Sequence, residues 1–346
     1  MIEHFFNYLN QFWFVHRLIF IDYPNYLRTE IDTTIIELLI QCLWKLFLDN
    51  NFFIRPAFIL SLSLFIVSFI RSTVVTSIVS RFVQNGIVAE NDARKFYECF
   101  WCFLCHLLTF VVTWIVVNSN NCLLDPKQFW SDMNRQSIPI LYGFIFAFKT
   151  SFYIDSTYSM MYVYVSEKMT PIYMIHHMTT ISLLILSYMT KNYLNGITII
   201  YLFGQDTLLM QFSKCIIRIQ LQIIQRNRNL VRRILFYGFA TLWMYNRIYR
   251  YPLIIIPELA LFASKNFHLD WSILGYILIL LLWIILVVSL FWTVFIVKIV
   301  SSTLLDQKDI YHLDVQDSEQ QQQQQQQQQK KRQQQQQQRT KYNKHE

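Results

Sequence analysis

Seven stretches of this chain are apolar over close to, or more than, the ~20 residues that a helix rising ~1.5 Å per residue needs to cross ~30 Å of hydrocarbon. They are Ala57–Ser80, Phe96–Val117, Ile138–Val165, Pro171–Thr190, Gly196–Ile217, Ile234–Ala263 and Trp271–Val300. The first is closed by Arg71 or carried on to Ser80, where Arg81 stops it. A chain with this many such runs folds as an all-α, polytopic transmembrane bundle of about seven spans. Composition agrees: 54% of the 346 residues are hydrophobic and 15% charged, where a soluble domain carries about a quarter charged. Soluble globular, collagenous and disulfide-knotted secreted classes are excluded for the body.

Residues 1–55 read differently. Met1–Phe20 has acidic and basic residues scattered through it and no small-residue cleavage site, so no cleavable signal is expected and the first span acts as the signal. Ile35–Phe47, broken by Lys45, is too short to cross and suits the membrane interface. From Asp306 hydrophobicity ends, and Gln320–Gln338 is a glutamine tract interrupted by Lys330, Lys331 and Arg332. Such a tract has nothing to bury and is expected to be disordered. The expected organisation is an interfacial region over 1–55, a first span with a cytosolic linker over 56–93, the main helical domain over 94–305 and a tail over 306–346.

A formal net charge of +8 marks membrane topology here rather than nucleic acid, because the cations sit at the ends of apolar runs and in the tail. With the N-terminus outside, Arg71, Arg81, Arg94 and Lys95, then Arg218, Arg226, Arg228, Arg232 and Arg233, then Lys298 and the tail fall on the cytosolic side. That follows the positive-inside rule and makes the C-terminus cytosolic. Arg17, Arg28, Lys45 and Arg55 work against it. Cys99, Cys102 and Cys105, followed by His106, have three-residue steps that spread thiols over ~120° of a helix. They are read as small buried hydrophobes, with neither metal nor disulfide expected.

An ionisable group at the bilayer centre costs ~2.5–3.5 kcal/mol or more, so each one is a functional candidate. Glu98, Lys149, Asp155, His176, His177, Asp206, Lys214, Asn246, Arg247 and Arg250 make up the polar set. His176 and His177 project ~100° apart, so one partner cannot satisfy both, and Thr180 stands one turn on. If the next hairpin turns near Asn192–Asn195, Asp206 is level with His177 on an antiparallel helix. There it is placed to fix the imidazole tautomer, the His-carboxylate arrangement of general-base catalysis. Arg247 precedes Pro252 by five residues; the proline is expected to break or kink the helix, and an anionic ligand or an internal Asp to neutralise the arginine. Lys149 and Asp155, ~240° apart on one helix, do not pair. Lys149 is expected to snorkel and Asp155 to meet another helix.

These residues carry a resemblance. HHMTTISLLILSYMTKNYLNGITIIYLFGQDTLLMQFSK, from His176 to Lys214, resembles the core motif of the TLC domain as found in ceramide synthases. Lys95-Phe96 with Glu98 and Trp101 resembles the start of that domain, Trp130 one of its tryptophans, and Arg247 with Pro252 its later R-x4-P element. The resemblance covers about Arg94 to Val300. It implies an endoplasmic-reticulum enzyme that transfers a fatty acyl group from acyl-CoA to the amine of a sphingoid base. On that reading His176 and His177, with Asp206, are catalytic, and Arg247, Lys149, Asp155 and Thr180 bind substrate. Acyl-CoA is a co-substrate and no other cofactor is implied. Partners are membrane lipids, the two substrates and a second copy in a homodimer, with no nucleic acid. The chain departs from the family pattern at one place: where the family has His-Asp and then Asp three residues on, this chain has Phe203-Gly204 and Thr207. The retained histidine pair favours the acyltransferase. The lost His-Asp favours a non-catalytic TLC protein that binds or moves lipids or assists membrane-protein biogenesis. A channel or transporter ranks third, since no inverted repeat is visible.

Overall fold

Backbone N–H and C=O groups find no partner in hydrocarbon, so long apolar runs close their hydrogen bonds internally as helices. A computed structural model describes residues 50–122, 139–162, 170–221, 226–257 and 269–305, with residues 17 and 224 singly. Seven rods result. The first is α1 (Asn50–Phe69), a π-helical segment (Ile70–Val75) and α2 (Thr76–Gln84) in one continuous run. Then come α3 (Ala93–Ser119), α4 (Ile140–Tyr162), α5 (Thr170–Met189) and α6 (Tyr193–Arg218). The sixth rod is α7 (Arg228–Trp243) continued by a π-helical segment (Met244–Ile255), and the last is α8 (Leu269–Leu305). The expected all-α bundle is what forms. Ile35–Phe47, expected at the interface, Trp130 and the tail from Asp306 lie outside the described residues.

Four described helical runs are long and apolar enough to cross a membrane: Phe58–Gln84, Glu90–Ser119, Pro171–Met189 and Leu274–Ser301. The chain is a multi-pass membrane protein. Its outer surface is greasy where lipid would touch it, with Phe58, Phe65, Phe69, Leu108, Ile115, Val287 and Val294 all exposed. The other three rods carry their polar residues inward: Lys149, Thr150 and Ser151 on α4, Asn195, Thr198 and Asp206 on α6, and Asn246 and Arg247 on the second π segment are all buried.

α3 and α6 form the central pair. α1 packs on α4, α7 on α6, α4 on α5, and α5 on α8. One apolar core joins α3, α4, α5, α6, the second π segment and α8 around Phe146, Tyr193, Ile197, Leu202, Tyr251 and Leu282. A second joins α1, α2, α3 and α4 around Val67, Phe96, Trp101 and Phe152. At Gly196 α6 comes close to α4: a Cβ there would stand 2.7 Å from the Phe146 ring.

The first span takes the longer of its two expected forms: Arg71 sits within the uninterrupted rod 50–84, where partly buried acids on α3 and α4 meet its charge. Pro252, expected to break or kink its helix, does not break it. The rod widens into π-helix through it, and a wide turn accommodates the missing donor.

Three helices end the same way. Ile87 N–H bonds Phe82 O and Gly86 N–H bonds Val83 O after α2; Cys122 and Asn121 repeat the pattern on Val117 and Asn118 after α3; Asn192 and Lys191 repeat it on Ser187 and Tyr188 after α5. This paired closure needs a left-handed residue, supplied by Gly86 (φ 68°), Asn121 (φ 52°) and Lys191 (φ 58°). Lysine is the poorest of the three for that role. Lys191→Gly is therefore expected to raise stability by about 0.5–1 kcal/mol, read as a higher unfolding midpoint in detergent; an unchanged or lower midpoint would count against it. The α5–α6 turn is Thr190–Asn192, slightly earlier than the expected Asn192–Asn195.

Candidate active site

α4 presents Lys149, Tyr153 and Thr157 at i, i+4 and i+8, one face of a helix. That face meets α5 and α3 and builds the polar centre. His177 on α5 is 8% exposed, and its Nδ1 lies 3.2 Å from Thr157 Oγ1. The Thr157 hydroxyl in turn donates to the Tyr153 carbonyl at 2.7 Å. The Tyr153 ring stands edge-on to both imidazoles, with centroids 5.2 Å from His177 and 6.2 Å from His176. The two imidazoles are 5.7 Å apart. Thr157 bonds His177 alone, while one tyrosine ring packs on both histidines. Thr180 Oγ1 donates back to the His176 carbonyl at 2.7 Å.

Lys149 is 3% exposed. Its ammonium donates to His106 Nδ1 at 3.1 Å and lies over the rings of Phe152 and Tyr153, 5.3 and 5.7 Å from their centroids. The expected snorkelling does not occur, because an imidazole acceptor and two aromatic faces hold the amine inside. Since an ammonium only donates, the His106 proton belongs on Nε2.

Asp206 stands at the height expected for it. At ~1.5 Å per residue it lies about 20 Å from the start of α6, and His177 about 18 Å from the end of α5. Its carboxylate nonetheless turns to Arg247: Arg247 Nε donates to Asp206 Oδ2 at 2.6 Å, both side chains being buried. Among the described residues no histidine bonds to Asp206, and its Oδ1 has no hydrogen-bond partner. The expected His177–Asp206 pair is thus replaced by an ion pair, a guanidinium being the stronger partner for a buried carboxylate. The guanidinium lies between Phe203 and Trp243, 4.0 and 4.3 Å from their centroids, and also donates to Thr207 Oγ1 at 3.3 Å. Phe203 and Thr207, where the chain departs from the family pattern, therefore both line Arg247. Asn246 fastens the same region, donating to Leu202 O at 3.1 Å and Gln205 Oε1 at 3.0 Å.

Asp155 does meet another helix, but on the opposite side of α4, since two residues separate it from Tyr153 and from Thr157 by ~200°. Arg71 Nη1 bonds Asp155 Oδ2 and Ser159 Oγ, each at 2.5 Å, and Nη2 bonds both Glu98 oxygens at 2.8 and 2.9 Å. Trp101 Nε1 donates to Asp155 at 3.3 Å, and Tyr97 OH to the Arg71 carbonyl at 2.9 Å.

His176, His177 and Lys149 thus stand against the Tyr153 ring, Asp206 and Arg247 pair with each other beside Phe203 and Trp243, Asp155 belongs to a separate network, and the Thr180 hydroxyl is engaged with its own helix. Sequence reasoning missed Tyr153 and Thr157. Their signal was the i, i+4, i+8 spacing from Lys149. Among the described residues no group of three or more His, Cys, Asp or Glu is placed to hold a metal.

Comparison with known proteins locates this arrangement. Ceramide synthase hyl-1 of Caenorhabditis elegans is 24% identical over 234 residues, 64% of this chain and 61% of that protein. Ceramide synthase LOH1 of Arabidopsis thaliana is 25% identical over 235 residues, 65% of this chain and 74% of that protein. The chain thus spans less than two thirds of the length of the nematode relative. Residues 95–298 match the family model of the TLC domain (TRAM, LAG1 and CLN8). That stretch runs from the start of α3 into α8 and contains the histidine pair, the Asp206–Arg247 pair and Lys149, so the chain belongs to the TLC-domain family.

Proposed function

We propose that this protein is a ceramide synthase-like N-acyltransferase that moves a fatty acyl group from acyl-CoA to the amine of a sphingoid base. The observation that carries the reading is the pair of adjacent histidines held inside the bundle against Tyr153 and Thr157. A long-chain ammonium is no nucleophile; once it is the free amine, a neutral imidazole is the side chain suited to take the proton that its nitrogen sheds on bonding the acyl carbon. One histidine acts as base or accepts the acyl group, and the other assists the departing thiolate or orients its neighbour. The apolar interior suits lipid chains, and the cationic run Lys214 to Arg233, which contains no Asp or Glu, suits the phosphates of CoA. The reading places the enzyme in the endoplasmic-reticulum membrane with a cytosolic C-terminus, as a homodimer.

The test uses microsomes lacking endogenous ceramide synthase, supplied with sphinganine and acyl-CoA donors of several lengths. Wild type is expected to form dihydroceramide, and His176→Ala/His177→Ala to lose at least about 100-fold of it. Absence of product with every donor, from a chain verified as folded, would sink the acyltransferase. One observation favours a second reading. Asp206 is engaged by Arg247, and among the described residues no carboxylate bonds to His176 or His177, which suits a TLC protein that binds or moves lipids, or assists membrane-protein biogenesis, without catalysis.

A further inference from the structure

A threonine hydroxyl has a single proton to give. Thr157 Oγ1 has two neighbours, the Tyr153 carbonyl at 2.7 Å and His177 Nδ1 at 3.2 Å. The proton points to the nearer and better acceptor, a bond back to residue i−4 that threonine commonly makes in helices. The oxygen then faces the imidazole with its lone pairs, and the longer contact is closed only if Nδ1 carries a hydrogen. Buried at 9% and 8% exposure, neither group has bulk water as an alternative partner.

We infer that Thr157 is the positioning residue for His177: it holds the imidazole as the Nδ1–H tautomer and leaves the Nε2 lone pair as the base. The inference rests on the acyltransferase reading for its chemistry, and on the hydrogen-bond geometry alone for the tautomer. The carboxylate that usually fixes an active-site imidazole is occupied here by Arg247, and a neutral hydroxyl takes its place. A neutral orienter fixes direction without stabilising the imidazolium. His177 is thereby a base for the free amine, not one that holds a proton afterwards.

The step balances. The substrate ammonium first loses one proton to the medium. As the free amine nitrogen bonds to the thioester carbon, His177 Nε2 takes an amine proton. As the C–S bond breaks, the imidazolium returns that proton to sulfur, so amide and thiol leave and His177 is as it began. Thr157 does not touch the reacting atoms. Its contribution is the direction of the Nε2 lone pair, together with the Tyr153 ring that limits rotation of both imidazoles.

The experiment uses the full chain with 15N-labelled histidine in lipid nanodiscs. Solid-state NMR reads the His177 tautomer in wild type, Thr157→Val and Thr157→Ser, with His177→Gln to assign the signals and the His106 signals to verify the fold. Wild type and Thr157→Ser are expected to show Nδ1–H, and Thr157→Val a mixture containing Nε2–H. In acyl transfer, Thr157→Val is expected to lower kcat about 10- to 100-fold with KM for the acyl donor within about 2-fold, and Thr157→Ser to recover most of the loss. Nε2–H in wild type, or an unchanged spectrum in Thr157→Val, overturns the inference. If no variant and no wild type forms amide, the acyltransferase reading falls and the spectrum alone decides the tautomer.

Discussion

Arg247→Leu is expected to destabilise the folded bundle by about 3–5 kcal/mol, the cost of leaving one partner of a buried ion pair alone. Asp206 is 0% exposed, and Arg247 is the cation bonded to it. The loss is larger than a surface pair could produce, because the carboxylate is fully buried. The arginine also fills the space between Phe203 and Trp243, so leucine was chosen to keep apolar volume there. The double variant Asp206→Leu/Arg247→Leu removes both charges and is expected to return to within about 1 kcal/mol of wild type, since apolar replacement of a whole buried pair is often neutral. Unfolding in detergent, followed by the fraction that stays monodisperse, measures both. A double variant as unstable as the single one would show that packing of the guanidinium between the rings, not charge, dominates.

Arg71→Leu is expected to be of similar severity, about 3–5 kcal/mol. It leaves the Glu98 and Asp155 carboxylates facing each other without the guanidinium that bonds both. The three groups come from the first rod, α3 and α4, so the loss also loosens the first rod from the domain. Adding Glu98→Gln and Asp155→Asn to Arg71→Leu removes the repulsion and is expected to recover most of the stability. A cysteine cross-link between α1 and α4 would report whether the rod stays docked. Full stability in Arg71→Leu alone would refute the role assigned to this cluster. The family match begins at residue 95, yet this network makes the preceding rod a working part of the bundle.

Much of this architecture was legible because hydropathy reports helices directly: each apolar run gives a rod, though ends shift, the first rod starting at Asn50 rather than Ala57 and the sixth at Arg228 rather than Ile234. Arg71 was the ambiguous point: hydropathy left the first span ending there or running on to Ser80, and the structure carries it on to Gln84. A charge inside an apolar run looks like its end unless partners on distant segments are known, and Glu98 and Asp155 lie 27 and 84 residues away. Asp206 and His177 were placed at equal height correctly, because rise per residue is fixed. The direction of Asp206 was not legible, since it depends on where Arg247 arrives across 41 residues. Thr157 gave no hydropathy signal at all. Its role follows only from packing α4 against α5.

Three intramembrane arginines share one backbone device. Arg71 lies in the π segment Ile70–Val75, and Arg247 and Arg250 in the π segment Met244–Ile255. A π turn is what a helix becomes when it absorbs an extra residue without breaking. Deleting one residue from either segment would close the wide turn and rotate everything beyond it by ~100° relative to what precedes it. Length change in these two short windows is thus a means of re-aiming an entire rod while every apolar run stays intact. In comparing this chain with its relatives, gaps of one residue there carry more structural meaning than substitutions elsewhere in the same helices.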